Sequence, residues 1–324
     1  MKRLPILATV FAATLVLSAC SSAGSDSADS PALTPDALTT VSIAETAGIP
    51  SAFLGYGVEQ GFFSDEGLDL VVDTGAGGAA AIPGVVSGST QFAGSNVVSV
   101  LLAKSKGLPL KIIAPGTFAT ETLNEDFSAV LVSGESPIQG PADLAGATIA
   151  VNTLENIGDV TIKTALEATG VDVSGIKFVE LGFPSMLAAL DAGQVDAAWI
   201  IEPFVTAGLN AGDRAVLLPY VESLPGLMVG SYVASESYIA ENPEIVAAFQ
   251  RGVSATAESI AADPGSFRTA LTELSSVPEA AAQALVLPIW KSDADLDSLA
   301  LMAEQMSTYG LTSTKVDVSS IVLK

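Results

Sequence analysis

Ser185-Met186-Leu187-Ala188-Ala189-Leu190-Asp191-Ala192-Gly193-Gln194-Val195-Asp196-Ala197-Ala198-Trp199-Ile200-Ile201-Glu202-Pro203-Phe204 decides the fold of this chain. Met186, Leu187 and Leu190 recur at helical spacing, and Gly193 suits the left-handed residue that closes a helix. Ala197 through Ile201 is a continuous apolar run, the pattern of a strand buried on both faces. Pro203 stops that strand because it has no N–H for the ladder. Helix, tight turn and buried strand make one α/β unit. It brings Trp199 and Glu202 to the carboxyl end of a strand, where ligands sit in open α/β sheets.

Around this unit lie 324 residues, room for one large or two medium domains, and 49% of them are hydrophobic. The formal charge of −23 argues against a nucleic-acid partner, since no basic patch could neutralise phosphates. The chain contains no histidine. That removes the commonest general base and metal ligand, so no catalytic residue, metal or cofactor is expected. Lys2 and Arg3 precede an apolar run from Ile6 to Leu17, too short to span a bilayer as an anchor. Leu17-Ser18-Ala19-Cys20 then resembles a bacterial lipobox, so we expect a signal peptide over 1–19 and lipidation at Cys20. Cys20 is the only cysteine, and no intramolecular disulfide can form. Residues 20–40 read as the lipidated cysteine and a flexible Ser-, Ala-, Asp- and Pro-rich tether.

The stretch Ala189-Leu190, Gly193, Val195-Asp196-Ala197 and Glu202-Pro203 resembles a signature of ABC-transporter solute-binding proteins. The group in question binds nitrate, taurine, alkanesulfonates or thiamine-pyrimidine precursors. Gly61-Phe62-Phe63-Ser64-Asp65-Glu66-Gly67-Leu68 and Asp143-Leu144-Ala145-Gly146 through Val151 resemble two further segments of the same family, in the same order. The resemblance covers about residues 41–310. It implies an α/β, two-lobed periplasmic-binding-protein-like fold of type II, with the ligand cleft between lobes and a mainly helical C-terminal region. The expected division is lobe I over 41–126, lobe II over 127–226, and a return crossing with C-terminal helices packed on lobe I over 227–324.

Internal similarity fits two lobes of like topology. Val86-Ser87-Gly88-Ser89-Thr90-Gln91-Phe92-Ala93 repeats the helix–turn–strand pattern, with Gly88, Gln91 and Ala93 at the places of Gly193, Asp196 and Ala198. Strands are expected at 41–44, 70–72, 110–114, 129–132, 177–181, 215–218 and 229–234. Pro50 suits the first turn of a helix running to Gly61, and Asn242-Pro243-Glu244 starts another that ends near Asp263-Pro264. Further helices are expected over 97–104 and 160–169 and from about Pro278 and Asp295. Thr117 to Phe127 reads as a polar, acidic loop. Pro83 sits inside an Ala-rich helix that it should delay or kink.

The expected ligand contacts are Ile49, Pro50 and Phe53 at the first helix, Gly77 and Gly78 in a glycine loop, and Ser95 and Asn96 at a strand end. Asn152, Thr153, Trp199 and Glu202 join them from the second lobe. The glycine loop Thr74-Gly75-Ala76-Gly77-Gly78 offers backbone N–H groups to an anion or a polar atom, or serves simply as a turn. Asn152 and Thr153 cap a helix or bind. Trp199 stacks on a ring or fills core, Glu202 accepts from the ligand or ties the hinge, and Trp290 is a packing anchor. No Lys or Arg falls in a loop assigned to the cleft, and Glu45, Glu121, Glu155 and Glu202 near its rim favour a donor-rich or cationic solute.

The function the resemblance implies is capture of a small organic solute by hinge closure and its delivery to the transmembrane subunits of an ABC importer. A pyrimidine, thiamine-precursor-like or other heterocyclic solute is preferred over a sulfonate, taurine or nitrate. The protein would act as a monomer on the outer face of the bacterial cytoplasmic membrane, held by its lipid alone. A partner-binding or sensor lipoprotein is the alternative of another class. An enzyme on the same fold is disfavoured, because the thiamine-pyrimidine synthases that resemble this family rely on an active-site histidine.

Overall fold

The structure is a computed structural model that describes residues 37–75, 77–275, 277–313 and 316–323. The expected signal peptide, Cys20, most of the tether and Ala76 of the glycine loop lie outside the described residues.

The elements of the first half are β1 (Thr39–Thr46), α1 (Ile49–Glu59), β2 (Leu68–Gly75), α2 (Gly78–Ser87), β3 (Phe92–Asn96), α3 (Val97–Ser105), β4 (Leu110–Pro115) and β5 (Thr117–Phe118). Then come β6 (Ser128–Val132), β7 (Thr148–Val151), α4 (Ile157–Ala168), β8 (Lys177–Glu180), α5 (Phe183–Asp191), β9 (Ala197–Ile201), α6 (Phe204–Ala211), β10 (Arg214–Leu217) and α7 (Pro219–Ser223). The chain closes with β11 (Gly230–Ser235), α8 (Glu236–Glu241), α9 (Pro243–Ala262), α10 (Pro264–Leu274), α11 (Glu279–Ala284), β12 (Ile289–Trp290) and α12 (Leu296–Thr308).

Two five-stranded sheets follow from this order. One runs β2-β1-β3-β11-β4, the other β8-β7-β9-β6-β10. Each holds three neighbouring parallel strands and then a single antiparallel strand, β11 in the first and β6 in the second. The two strands that run backwards are those that follow the crossings between the sheets. The sheets therefore share one topology, and β3 and β9, whose sequences resemble each other, occupy equivalent central places.

All five residues of β9 and all five of β6 are buried, as expected for strands covered on both faces. The turn before β9 has Gly193 at φ +65°, a left-handed conformation that glycine adopts at no steric cost. The strand ends at Ile201, and the peptide bond between Glu202 and Pro203 that follows is cis. α4 begins at Ile157, three residues before its expected start, because Asn156 caps it and Asp159 returns a bond to the Asn156 N–H at 2.6 Å. α2 runs through Pro83 rather than starting after it.

Two differences concern the second half. The loop expected over 117–127 contains β5, which pairs with β12 and brings Trp290 beside Thr117. Pro264 ends α9 but also starts α10, a helix absent from the sequence-based reading. Asp263 caps it by accepting from Gly265 and Ser266 N–H groups at 3.1 and 3.2 Å. α9 and α10 pack on α1, and their Phe249 and Phe267 join Phe53, Phe92 and Tyr232 in an aromatic core under the first sheet. α12 packs on α3 and also reaches α4.

Candidate functional site

The carboxyl ends of the parallel strands of both sheets face one cavity. Glu45 and Thr46 end β1, Ser95 and Asn96 end β3, Asn152 follows β7, and Trp199 and Ile201 come from β9. Four helices present a residue of their first turn to the same space: Gly78, Ile157 and Phe183 open α2, α4 and α5, and Pro50 is the second residue of α1. β11 closes the floor with Gly230, Ser231 and Tyr232. The volume open to the centre of a water molecule is about 60 Å³, several times the 10–15 Å³ that holds one water. It is a space for a small solute, and the lobes meet beside it. The Ser99 hydroxyl on α3 donates to Asn156 Oδ1 at the start of α4, at 2.9 Å.

The walls from lobe two are aromatic. Trp199 is 1% exposed, with its ring 5.6 Å from Phe183 and 6.0 Å from Tyr220. Phe127 lies 5.1 Å from Tyr220. Gly158 makes room for the indole, because a β-carbon there would lie 2.6 Å from Trp199 Cε3. Tyr220 is held by Asp126, which accepts from the backbone N–H groups of Tyr220, Val221 and Ser128 at 2.9 to 3.0 Å. Burial nevertheless pushes the Asp126 carboxyl up to about 7.

Three polar atoms of residues lining the cavity are free. Ser95 Oγ, Asn152 Oδ1 and Trp199 Nε1 are buried and have no hydrogen-bond partner among the described residues, although buried polar atoms are normally paired. Glu45 is 7% exposed and takes its hydrogen bonds from Thr46, whose backbone N–H lies 2.6 Å from Oε1. Desolvation raises its carboxyl from the ordinary value to about 8. Among the described residues no Lys or Arg lines the cavity.

Of the residues expected to touch ligand, Pro50, Gly78, Ser95, Asn96, Asn152 and Trp199 line this cavity. The Asn96 side chain is engaged as the α3 cap, accepting from Ser99 N at 2.9 Å. Gly77 is not among the lining residues, and a β-carbon on it would lie 3.3 Å from Asn152 Nδ2. Ile49 and Phe53 are fully buried core, because the apolar side of α1 turns inward to the aromatic cluster. Thr153 faces a separate groove with Ala79, Pro83 and Glu155. Glu202 is 1% exposed and turned away from the cavity. Its Oε1 accepts from the Thr206 hydroxyl at 2.8 Å and Val286 N at 3.1 Å, and its Oε2 from Thr206 N at 2.9 Å. It thus ties the end of β9 to the segment between α11 and β12. Trp290 stacks on Phe53 at 5.0 Å and meets Phe267 edge-on.

Phe127, Phe183, Tyr220 and Tyr232 escape the sequence-based reading. Phe183 opens α5 as Gly78 opens α2, so the internal repeat marks its place. Tyr220 and Tyr232 carry no comparable signal, since both come from the crossing strands' surroundings.

A family model described as NMT1/THI5 like matches residues 51–266. The chain belongs to the NMT1/THI5-like family. It is 27% identical over 202 residues to the formylaminopyrimidine-binding protein of Halalkalibacterium halodurans, covering 61% of this chain and 59% of that one. It is 24% identical over 215 residues to the taurine-binding periplasmic protein of Escherichia coli, covering 64% and 65%. The chain therefore matches less than two thirds of the length of each. Two solved structures share the two-lobed periplasmic-binding-protein fold of this NMT1/THI5-like chain. The alkanesulfonate-binding protein SsuA from Xanthomonas axonopodis pv. citri, bound to MOPS, superposes with a TM-score of 0.75 at 18% identity, covering 89% of this chain and 99% of that one. A Candida albicans protein with the generic periplasmic binding protein fold superposes with 0.72 at 14% identity, covering 89% and 97%.

Among the described residues no helix is long and apolar enough to cross a membrane, and no group of three or more acidic residues is placed to hold a metal ion.

Proposed function

We propose that this protein is an extracytoplasmic solute-binding lipoprotein that captures a small heterocyclic solute, pyrimidine-like in size and polarity, and hands it to an ABC importer. The observation that carries this is the cavity between the lobes. Aromatic walls supply faces for a planar ring, while Ser95, Asn152 and Trp199 hold buried polar atoms with no described protein group to bond. Both lobes contribute, so a bound solute stabilises the closed form through contacts that an open form loses. Glu202 ties β9 to the C-terminal region through the Val286 N–H. The protein acts by binding and not by catalysis. Lipidation at Cys20 would hold it at the outer face of the membrane beside its permease.

A second reading is favoured by one observation. Four helix N-termini converge on the cavity, and their partial positive charge suits an anionic group. An amino-sulfonate would use both features, its sulfonate against the helices and its amine near Glu45.

A thermal-shift screen of the purified protein against aminopyrimidines, thiamine, riboflavin, taurine, alkanesulfonates and nitrate tests the proposal. A ligand at a hundredfold excess over its dissociation constant adds about 2.7 kcal/mol. A clear rise with one class names the solute. No rise on a cooperatively folded sample refutes capture of any of these solutes and moves the reading to a partner-binding lipoprotein.

A further inference from the structure

Among the described residues Glu45 is the one charged group lining the cavity. It belongs to the end of β1, and its placement depends on two neighbouring strands. β1 and β3 pair with Ala44 opposite Ala93, so Glu45 lies beside Gly94, and β3 pairs Gly94 with Tyr232 of β11. The three residues form a row across the sheet. A β-carbon on Gly94 would collide with both carboxylate oxygens of Glu45. The glycine is therefore what lets the carboxyl lie over the neighbouring strand at the cavity, close enough to Tyr232 for the two to interact electrostatically. There it has Thr46 for company and no described cation. A buried carboxyl with unused acceptor capacity is costly in an empty site.

Resting on the solute-binding reading, we infer that Glu45 is the specificity-determining residue of the cavity: it accepts a hydrogen bond from an amino or ammonium group of the solute, and so admits amine-bearing solutes and rejects plain anions. The supporting chemistry runs in one direction. A nitrate or alkanesulfonate brings only acceptors and negative charge: an ionised carboxyl repels it, and a neutral one offers it a single O–H and leaves the carbonyl oxygen unpaired. An aminopyrimidine or an amino-sulfonate brings N–H donors. An exocyclic amine beside a ring nitrogen also matches a neutral carboxyl, which donates once and accepts once. Asn152 Oδ1 and Ser95 Oγ then remain for the rest of the solute's polar edge.

The test compares matched probes by calorimetry on the full protein. The pairs are 4-amino-5-hydroxymethyl-2-methylpyrimidine with 5-hydroxymethyl-2-methylpyrimidine, and taurine with ethanesulfonate. The wild type should bind the amine-bearing member of one pair at least tenfold more tightly than its amine-free partner. Glu45→Gln should cut that preference to about threefold or less while remaining folded. Gly94→Ala, which displaces the carboxyl and leaves its charge in the chain, should have the same effect. An amine-free probe that binds the wild type as tightly as its partner overturns the inference and leaves solute capture standing. Unchanged preference in Glu45→Gln also overturns it. Binding of none of the four probes by wild-type protein refutes the pyrimidine and amino-sulfonate readings together, and the inference with them.

Discussion

A carboxyl kept for a ligand should weaken the empty protein, and the size of that effect follows from its burial. Desolvation raises Glu45 from 4.5 to about 8. Below pH 4.5 the group is neutral in folded and unfolded chains and contributes nothing. Between pH 4.5 and 8 the unfolded chain releases the proton that the folded chain retains, so stability falls as pH rises. Above pH 8 both forms are ionised and the cost is constant. A tenfold change in proton affinity corresponds to about 1.36 kcal/mol, so the full cost is on the order of 5 kcal/mol. Glu45→Gln removes this cost and keeps the shape. Its stability relative to wild type should therefore increase by about 4 kcal/mol between pH 5 and pH 8. Asp126, raised from 3.8 to about 7, slopes the same way in both proteins and cancels in the difference. Urea unfolding of both proteins at four pH values measures it. A difference that is flat with pH, or a variant less stable than wild type at pH 8, would refute the picture of an unpaired buried carboxyl.

Other expectations are more local. Ser95→Ala and Asn152→Ala each remove a buried polar atom that no described protein group satisfies. Calorimetry should show ligand affinity falling about 5- to 30-fold, with thermal stability unchanged or higher. Gly158→Ala sets a methyl against the Trp199 ring, and should cost about 1–3 kcal/mol by overpacking, read as a lower urea midpoint. Glu202→Ala strands the Thr206 and Val286 donors. It should cost about 1–3 kcal/mol and speed hydrogen exchange at the Val286 amide.

The two-lobed fold was legible because its units are local. A glycine after a helix and an all-apolar strand identify β9, and the same signs at Gly88 identify β3. Helix starts were legible where a cap or proline stands, as at Pro50 and Pro243. α10 was hidden because Pro264 reads as the end of α9, although proline also favours a first turn. Side-chain direction was not legible. Phe53 and Pro50 share the first turns of α1, yet one fills the core and the other lines the cavity. The residues around Glu202 leave open whether it accepts from the ligand or ties the hinge, and Thr206 and the Val286 N–H, 84 residues away, are the partners its carboxylate takes. Such a long-range partner leaves no mark in the local pattern. Glu45 was legible only as an acidic rim residue, since its place at the cavity depends on Gly94 in another strand.

Trp199 offers the most direct view of the cavity. The chain has two tryptophans, so Trp290→Phe leaves the indole of the cavity wall as the sole tryptophan emitter. Titration of that variant with 4-amino-5-hydroxymethyl-2-methylpyrimidine and, separately, taurine should give a saturable change in Trp199 emission with one of them. The change should be lost in the Asn152→Ala background at the same concentrations. A solute that raises the melting temperature yet leaves Trp199 emission unchanged would place binding elsewhere and contradict capture between the lobes.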